Sequence, residues 1–177
     1  MTESSTPAHW LVTVTGADRP GIIAAIASVM AEEQVDVEDI SMTRLTGSFA
    51  MILLARGGDE SRLRRRLADA AALLGMAVHF EPAPAAVPDM EATHFISAAG
   101  PNRVGIVATL SRVLADHGAN ITEMSTRLLD RTRVPVYLVR IECRVEAGWD
   151  ALEAALADAA TGLGVELRAE PLESTDL

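Results

Sequence analysis

Two short loops of similar sequence hold the residue types best suited to binding a small charged ligand. They are residues 16–22 (GADRPGI) and residues 100–106 (GPNRVGI). In each loop the glycines allow close approach to the backbone, and the amides that open the following helix suit a carboxylate. Asp18 or Asn102 can accept hydrogen bonds from an amino group, and Arg19 or Arg103 is the nearest cation. This pattern favours a zwitterionic ligand such as an amino acid.

The candidate ligand-binding residues form two equivalent sets. The first is Asp18, Arg19, Gly21, Ile22 and Asp36, and the second is Asn102, Arg103, Gly105, Ile106 and Asn120. Asp36 and Asn120 begin the next strand in each copy and can add a second polar contact. The alternative is purely structural, with the Asp or Asn capping the helix and the glycines permitting the turn.

The two loops differ in charge and in the number of backbone donors. Asp18 is ionised where Asn102 is neutral, and Pro20 lacks the amide donor that Val104 keeps. A ligand recognised by its carboxylate therefore favours the second loop, and one recognised by its amino group favours the first. The sequence leaves both choices open.

Composition excludes several kinds of chemistry. All 15 basic residues are arginine, so lysine-dependent phosphate loops and Schiff-base catalysis are excluded. The 25 acidic residues give a net charge of −10, which disfavours direct nucleic-acid binding. Cys143 is the single cysteine, and the four histidines lack ligand spacing. We expect a protein without catalytic activity, cofactor or metal.

The loops belong to a longer internal repeat. At an offset of 84 positions, residues 16–41 align without gaps with residues 100–125, and eight pairs are identical. A period of this length predicts two duplicated domains. Three prolines within residues 82–88 predict an extended linker between them. The predicted division is a tail (1–8), domain 1 (9–82), a linker (83–91), domain 2 (92–171) and a tail (172–177).

Each copy has the hydrophobic periodicities of six elements in the order βαββαβ. Strand-like alternation precedes each loop, and residues spaced as in a helix, such as Ile22, Ile26 and Val29, follow it. A strand hairpin, a second amphipathic helix and a final strand complete each copy. The run Phe49 to Ala55 is almost continuously apolar, which predicts a strand covered on both faces. This order predicts the α+β ferredoxin-like fold, an antiparallel four-stranded sheet with both helices on one face.

A βαββαβ unit with the motif G-x-[DN]-R-x-G-I before its first helix resembles the ACT domain. The resemblance covers residues 9–82 and 92–171, and a free-standing pair of such domains is similar to the glycine cleavage system transcriptional repressor family. It implies an amino-acid effector such as glycine and a separate protein partner, either a transcription factor or an enzyme. It also implies that domains join side by side into an eight-stranded sheet, which the repeat allows within one chain. We further expect a homodimer, which would place the ligand loops at domain boundaries. The alternative function is an accessory regulatory subunit of an amino-acid metabolic enzyme.

Other charged and apolar features have simpler interpretations. The arginines at 62, 64, 65 and 66 are predicted to form a solvated, salt-paired helix face with Asp59, Glu60 and Asp69, and those at 127, 131 and 133 gather at the second hairpin.

No apolar run approaches the roughly 20 residues of a membrane span, and residues 1–9 lack a basic signal segment. We therefore expect a soluble, cytoplasmic protein that contacts neither membrane nor nucleic acid.

Overall fold

The computed structural model describes residues 9–83, 91–129 and 135–172. The chain divides into two compact units, Met1–Ala86 and Val87–Leu177. The predicted N-terminal tail, nearly all of the predicted linker, the second hairpin turn with Arg131 and Arg133, and the C-terminal tail beyond Leu172 lie outside the described residues.

Both units have the predicted βαββαβ order. The first contains β1 (His9–Ala17), α1 (Ile22–Glu32), β2 (Asp36–Leu45), β3 (Ser48–Arg56), α2 (Glu60–Leu73) and β4 (Ala77–Pro82). The second contains β5 (His94–Pro101), α3 (Ile106–Asp116), β6 (Asn120–Leu129), β7 (Val136–Arg144), α4 (Trp149–Leu163) and β8 (Glu166–Pro171). The antiparallel sheets have the strand orders β2-β3-β1-β4 and β6-β7-β5-β8. The predicted α+β ferredoxin-like fold is confirmed in each unit.

The core of the first unit lies between one face of its sheet and the two helices. Alternate residues of β1, including Val12 and Val14, are buried, because successive strand side chains point to opposite faces. Helical spacing places Ile26 of α1 and Leu67 of α2 against them. The second unit repeats this arrangement with its own buried cluster.

On the opposite face of each sheet, the side chains of the described residues are partly or fully exposed. In β3 the buried residues alternate with partly or fully exposed ones, and Ile52 is 47% exposed. The expectation that both faces of this strand are covered is therefore wrong. Its apolar run reflects a central strand whose open face carries Ala50, Ile52 and Leu54.

Two kinds of glycine define the candidate loops. Gly21 and Gly105 are the N-cap residues of α1 and α3 and have φ angles of 94° and 101°, a region that favours glycine. Gly16 and Gly100 instead lie inside β1 and β5, so the turns begin later than predicted. A Cβ on Gly100 would lie 2.9 Å from Val165 Cγ1 and 3.1 Å from the oxygen of Gly164. These strand glycines permit close packing of the segment that precedes the last strand.

Candidate functional site

The first candidate loop lies where three elements of the first unit meet. The end of β1, the start of α1 and the β2–β3 hairpin surround a cavity of about 460 Å³. The chemically important lining residues are Asp18, Arg19, Gly21, Ile22, Met42 and Arg44. Four of the five residues predicted for this copy therefore line one cavity.

Asp18 is held in place by contacts with the hairpin. Its backbone amide donates to the carbonyl oxygen of Gly47 at 2.8 Å. Its carboxylate accepts a hydrogen bond from Arg44 Nη1 at 3.3 Å. The structural interpretation of Asp18 as a helix cap is wrong, because Gly21 is the N-cap and α1 has no side-chain cap bond.

The start of α1 offers further donors to the cavity. The first backbone amides of a helix have no intrahelical acceptor, and they carry the positive end of the helix dipole. Residues Ile22, Ile23 and Ala24 line the cavity at this point. The side chain of Ile22 is buried in the core, so this residue can serve a ligand only through its backbone.

Arg19 and Arg103 occupy equivalent positions but have different surroundings. Among the described residues, Arg19 forms neither a hydrogen bond nor an ion pair, and it lines the first cavity. Arg103 Nη1 donates to the carbonyl oxygen of Leu163 at 3.1 Å, at the end of α4. The guanidinium of Arg103 therefore supports a helix terminus, whereas that of Arg19 is free to meet a ligand.

The second copy has fewer charged residues around its loop than the first. Its cavity, of about 400 Å³, is lined by Asn102, Arg103, Gly105, Ile106, Val107 and Tyr137. Leu128 stands at the position that corresponds to Arg44 at the repeat offset of 84. The second copy thus lacks both charges of the Asp18–Arg44 pair.

The structure does not bring Asp36 or Asn120 into the cavity of its own copy. Asp36 begins β2, eight residues before Arg44, which separates the two by about 25 Å at the usual rise of a strand. Its carboxylate accepts from Arg56 Nη2 at 3.0 Å. That hydrogen bond, together with the charge of Glu38, raises the pKa of Arg56. Asn120 begins β6 in the equivalent way.

Sequence reasoning missed Arg44 as a cavity residue. The motif lies before α1, whereas Arg44 lies near the end of β2, 26 positions from Asp18. The hairpin turn at Thr46 and Gly47 could have indicated this position. It joins β2 to β3, and β3 pairs with β1 in this fold. In that register Phe49 pairs with both Gly16 and Arg44, so Arg44 must lie beside the loop.

Three of the four arginines in the predicted cluster on α2 form ion pairs, and two of these three pair with another helix; Arg65 forms no ion pair within the described residues. Arg62 and Arg66 bind Glu33, which is only 5% exposed, and Arg66 also binds Glu32 at the end of α1. Arg64 pairs with Glu60 one turn earlier, at 3.0 Å. The acidic residues near the end of α1 therefore pair with arginines and tie the two helices together.

Cys143 and His94 lie opposite one another on β7 and β5. The side chain of Cys143 is buried in the core, and burial raises the pKa of its thiol. His94 stacks on Trp149 with ring centroids 3.9 Å apart, and burial lowers its pKa. Cys143 belongs to the packed interior of the second unit, whereas His94 is half-buried beside Trp149.

These features define a duplicated α+β ferredoxin-like protein with a charged cavity at the first helix of its first copy. The family model for the ACT domain matches residues 8–81 and 93–170, so the chain belongs to the ACT domain family. ACT domain proteins are regulatory, and the match indicates no catalytic family. In the described residues, no helix is both long enough and apolar enough to cross a membrane.

Individual relatives agree with this assignment. The UPF0237 protein MK1213 of Methanopyrus kandleri is 46% identical over 72 residues, which cover 38% of this chain and 80% of the relative. A crystal structure of an unknown protein from Galdieria sulphuraria aligns with a TM-score of 0.81 and 26% identity, covering 94% of this chain and 99% of that one. A structure described as a "putative glycine cleavage system transcriptional repressor" has a TM-score of 0.74 at 16% identity, covering 95% and 99%, which is a likeness of fold.

Proposed function

We propose that this protein is an amino-acid sensor that regulates a partner protein and has no catalytic activity of its own. The observation that carries the proposal is the first-copy cavity, where an acidic group, two arginines and free helix amides surround one space. Membership of a regulatory family supports it.

An amino acid presents a positive ammonium group and a negative carboxylate within a few ångströms of each other. Asp18 supplies an acceptor for the ammonium group, and its hydrogen bond to Arg44 fixes where that acceptor lies. Arg19 and the first amides of α1 supply donors for the carboxylate. Gly21 carries no side chain over these amides, which leaves room for a ligand near the backbone.

The first copy suits this ligand better than the second. Asn102 is neutral, Arg103 is bonded to the end of α4, and Leu128 replaces the second arginine. We therefore assign amino-acid binding to the first copy. Glycine is the preferred candidate because of the likeness to the proposed repressor.

A homodimer would give Asp36 a place in the site. Among the described strands, β2 pairs on one side only, with β3, and Ile40 and Met42 on it are 46% and 44% exposed. Exposed edges of this kind tend to pair with another strand. Suppose that β2 of one protomer pairs antiparallel with β2 of a second protomer and that the two strands are centred on each other. The start of one strand then lies beside the end of the other. Asp36 of one protomer then lies near Arg44 of its partner.

The output of the sensor is contact with another protein. The net charge of −10 makes direct regulation at DNA unfavourable, so transcriptional regulation of glycine cleavage would act through a DNA-binding partner. The second candidate is an accessory regulatory subunit of an amino-acid metabolic enzyme. A pull-down from the native host distinguishes the two by the identity of the captured protein.

A thermal-shift screen of the twenty amino acids tests the sensing proposal. A ligand present at 100 times its Kd stabilises the native state by about 2.7 kcal/mol, which is readily measured. We expect glycine, or another small amino acid, to raise the Tm of the wild-type chain. The variants Asp18→Asn and Arg44→Leu copy the second loop and should abolish the shift.

The matched control is Asn102→Ala in the second loop, which should keep the full shift. If no amino acid raises the Tm, the sensing proposal is wrong. If Asn102→Ala removes the shift and Asp18→Asn preserves it, the assignment to the first copy is wrong.

A further inference from the structure

The second unit has a concave cationic surface on the open face of its sheet, away from its helices. Its cavity, of about 330 Å³, is lined by Ser125, Thr126, Arg127, Leu129, Leu138 and Arg140. These residues come from the neighbouring strands β6 and β7. The surface is distinct from the loop cavities described above and does not depend on the proposed sensing function.

Strand register places the two arginines together. On β7 the buried residues Val139 and Ile141 face the helices, so Leu138 and Arg140 face the open side. Arg127 lies opposite Leu138, and Ser125 lies opposite Arg140. The two arginines are diagonal neighbours, about 7–8 Å apart at their backbones, and their long side chains can reach one anionic group.

Both guanidinium groups are available for binding. Within the described part of the chain, neither Arg127 nor Arg140 forms an ion pair or a hydrogen bond. Among the described residues of these two strands, the carboxylates of Glu123 and Glu142 lie one row further along this face, on the side away from Arg127. They line a smaller cavity with Arg140 but pair with neither arginine.

The apolar residues of the cavity indicate that its ligand also has an apolar portion. Leu129 and Leu138 stand beside Arg127, and Leu129 is 42% exposed. A ligand that carries an anionic group and a short apolar portion would cover these side chains while it binds the guanidinium groups. Planar guanidinium groups match the oxygens of phosphates and carboxylates and can bind them in a bidentate manner.

The duplicate in the first unit shows that the fold does not require these arginines. At the offset of 84, Thr43 corresponds to Arg127. Strand register gives the counterpart of Arg140: Arg140 lies opposite Ser125, and Ile52 lies opposite Ser41, the residue that matches Ser125 in the first unit. The open face of the first sheet therefore carries a threonine and an isoleucine at the two positions where the second sheet carries arginines. The cationic pair is specific to the second unit.

We propose that the open face of the second sheet binds the oxyanion group of a small molecule, a phosphate or a carboxylate attached to an apolar portion. Arg127 and Arg140 hold the oxyanion, the Ser125 hydroxyl adds a hydrogen bond, and Leu129 and Leu138 cover the apolar portion. This site lies outside the loop cavity, so the protein would respond to two different small molecules.

The test is a calorimetric titration of the full-length protein with phenyl phosphate, benzoate and inorganic phosphate at matched ionic strength. We expect phenyl phosphate or benzoate to bind more tightly than inorganic phosphate. Arg127→Gln and Arg140→Gln should each weaken that binding by at least tenfold. Arg168→Gln is the matched control: it lies in the same row as Arg140 but two strands away, and it should change the affinity less than twofold.

Three outcomes would overturn the proposal. They are no binding of either aromatic oxyanion, equal binding by the wild type and both arginine variants, and an equal loss in Arg168→Gln. Trp149 fluorescence confirms that each variant is folded, since Trp149 packs against the core of the same unit. Binding of an amino acid at the first loop should be unaffected by all three substitutions, which separates this test from that of the sensing function.

Discussion

Replacing Arg103 by methionine should destabilise the second unit, whereas replacing Arg19 by methionine should weaken ligand binding with little effect on stability. Arg103→Met removes the hydrogen bond from Nη1 to the carbonyl oxygen of Leu163, which measures 3.1 Å. Arg19→Met removes no hydrogen bond or ion pair within the described part of the chain. Methionine keeps an unbranched apolar stem in both variants, so the comparison isolates the guanidinium groups.

The magnitude follows from the geometry of that single bond. A hydrogen bond from a charged donor contributes about 1.5–3 kcal/mol, and solvent exposure of Arg103 reduces this to about 1 kcal/mol. In a unit of this size 1 kcal/mol corresponds to a change in Tm of about 4–8 °C. Arg19→Met should change the stability of the first unit by less than about 0.5 kcal/mol.

The two tryptophans allow each unit to be followed separately. Trp10 lies in the core of the first unit, and Trp149 packs against the core of the second. Urea unfolding of Arg103→Met in a Trp10→Phe background reports on the second unit, and Arg19→Met in a Trp149→Phe background reports on the first. Equal destabilisation by the two substitutions would refute the different roles assigned to these arginines.

Three further predictions concern packing and titration. Gly100→Ala should destabilise the second unit by about 2 kcal/mol, because its Cβ would lie 3.1 Å from backbone atoms. Gly16→Ala should cost about half as much, since its Cβ meets chiefly the flexible side chain of Met76, and equal costs by urea unfolding would contradict this reasoning. Burial lowers the pKa of His94, so the unfolded chain takes up a proton first as the pH falls. Stability of the second unit should therefore fall below about pH 6.5, and His94→Phe should reduce this pH dependence. Cys143 should react with Ellman's reagent at least about 100-fold more slowly than in urea, because it is buried and its thiol pKa is raised; rapid reaction of the native protein would contradict this.

Much of the fold was predictable because local patterns agreed with the overall arrangement. Alternation in β1 and helical spacing in α1 and α2 each indicated one apolar face, and the repeat supplied the same order twice. Gly21 and Gly105 close the two motif loops and are the N-cap residues of α1 and α3, where a positive φ angle favours glycine. The role of Gly16 was not predictable in this way, since its close neighbours, Gly75 and Met76, come from a distant part of the chain.

The candidate site was only partly predictable, for a related reason. Asp18, Arg19 and Gly21 are close in the sequence, so their proximity in the fold was predictable. The sequence did not indicate which end of β2 lies beside them. Asp36 begins that strand at the far end, and Arg44 near its other end reaches the cavity. The partners of the α2 arginines were missed similarly, because Glu32 and Glu33 meet them through helix packing.

The central claim is that the loop of the first copy binds an amino acid, and an NMR titration of the full-length protein tests it most directly. Backbone amide signals of Ile22, Ile23 and Ala24 should shift progressively as glycine, or the amino acid selected by the thermal screen, is added. The equivalent signals of Ile106, Val107 and Ala108 should stay within experimental error. Shifts confined to the second set, or no saturable shift in either set, would contradict the claim.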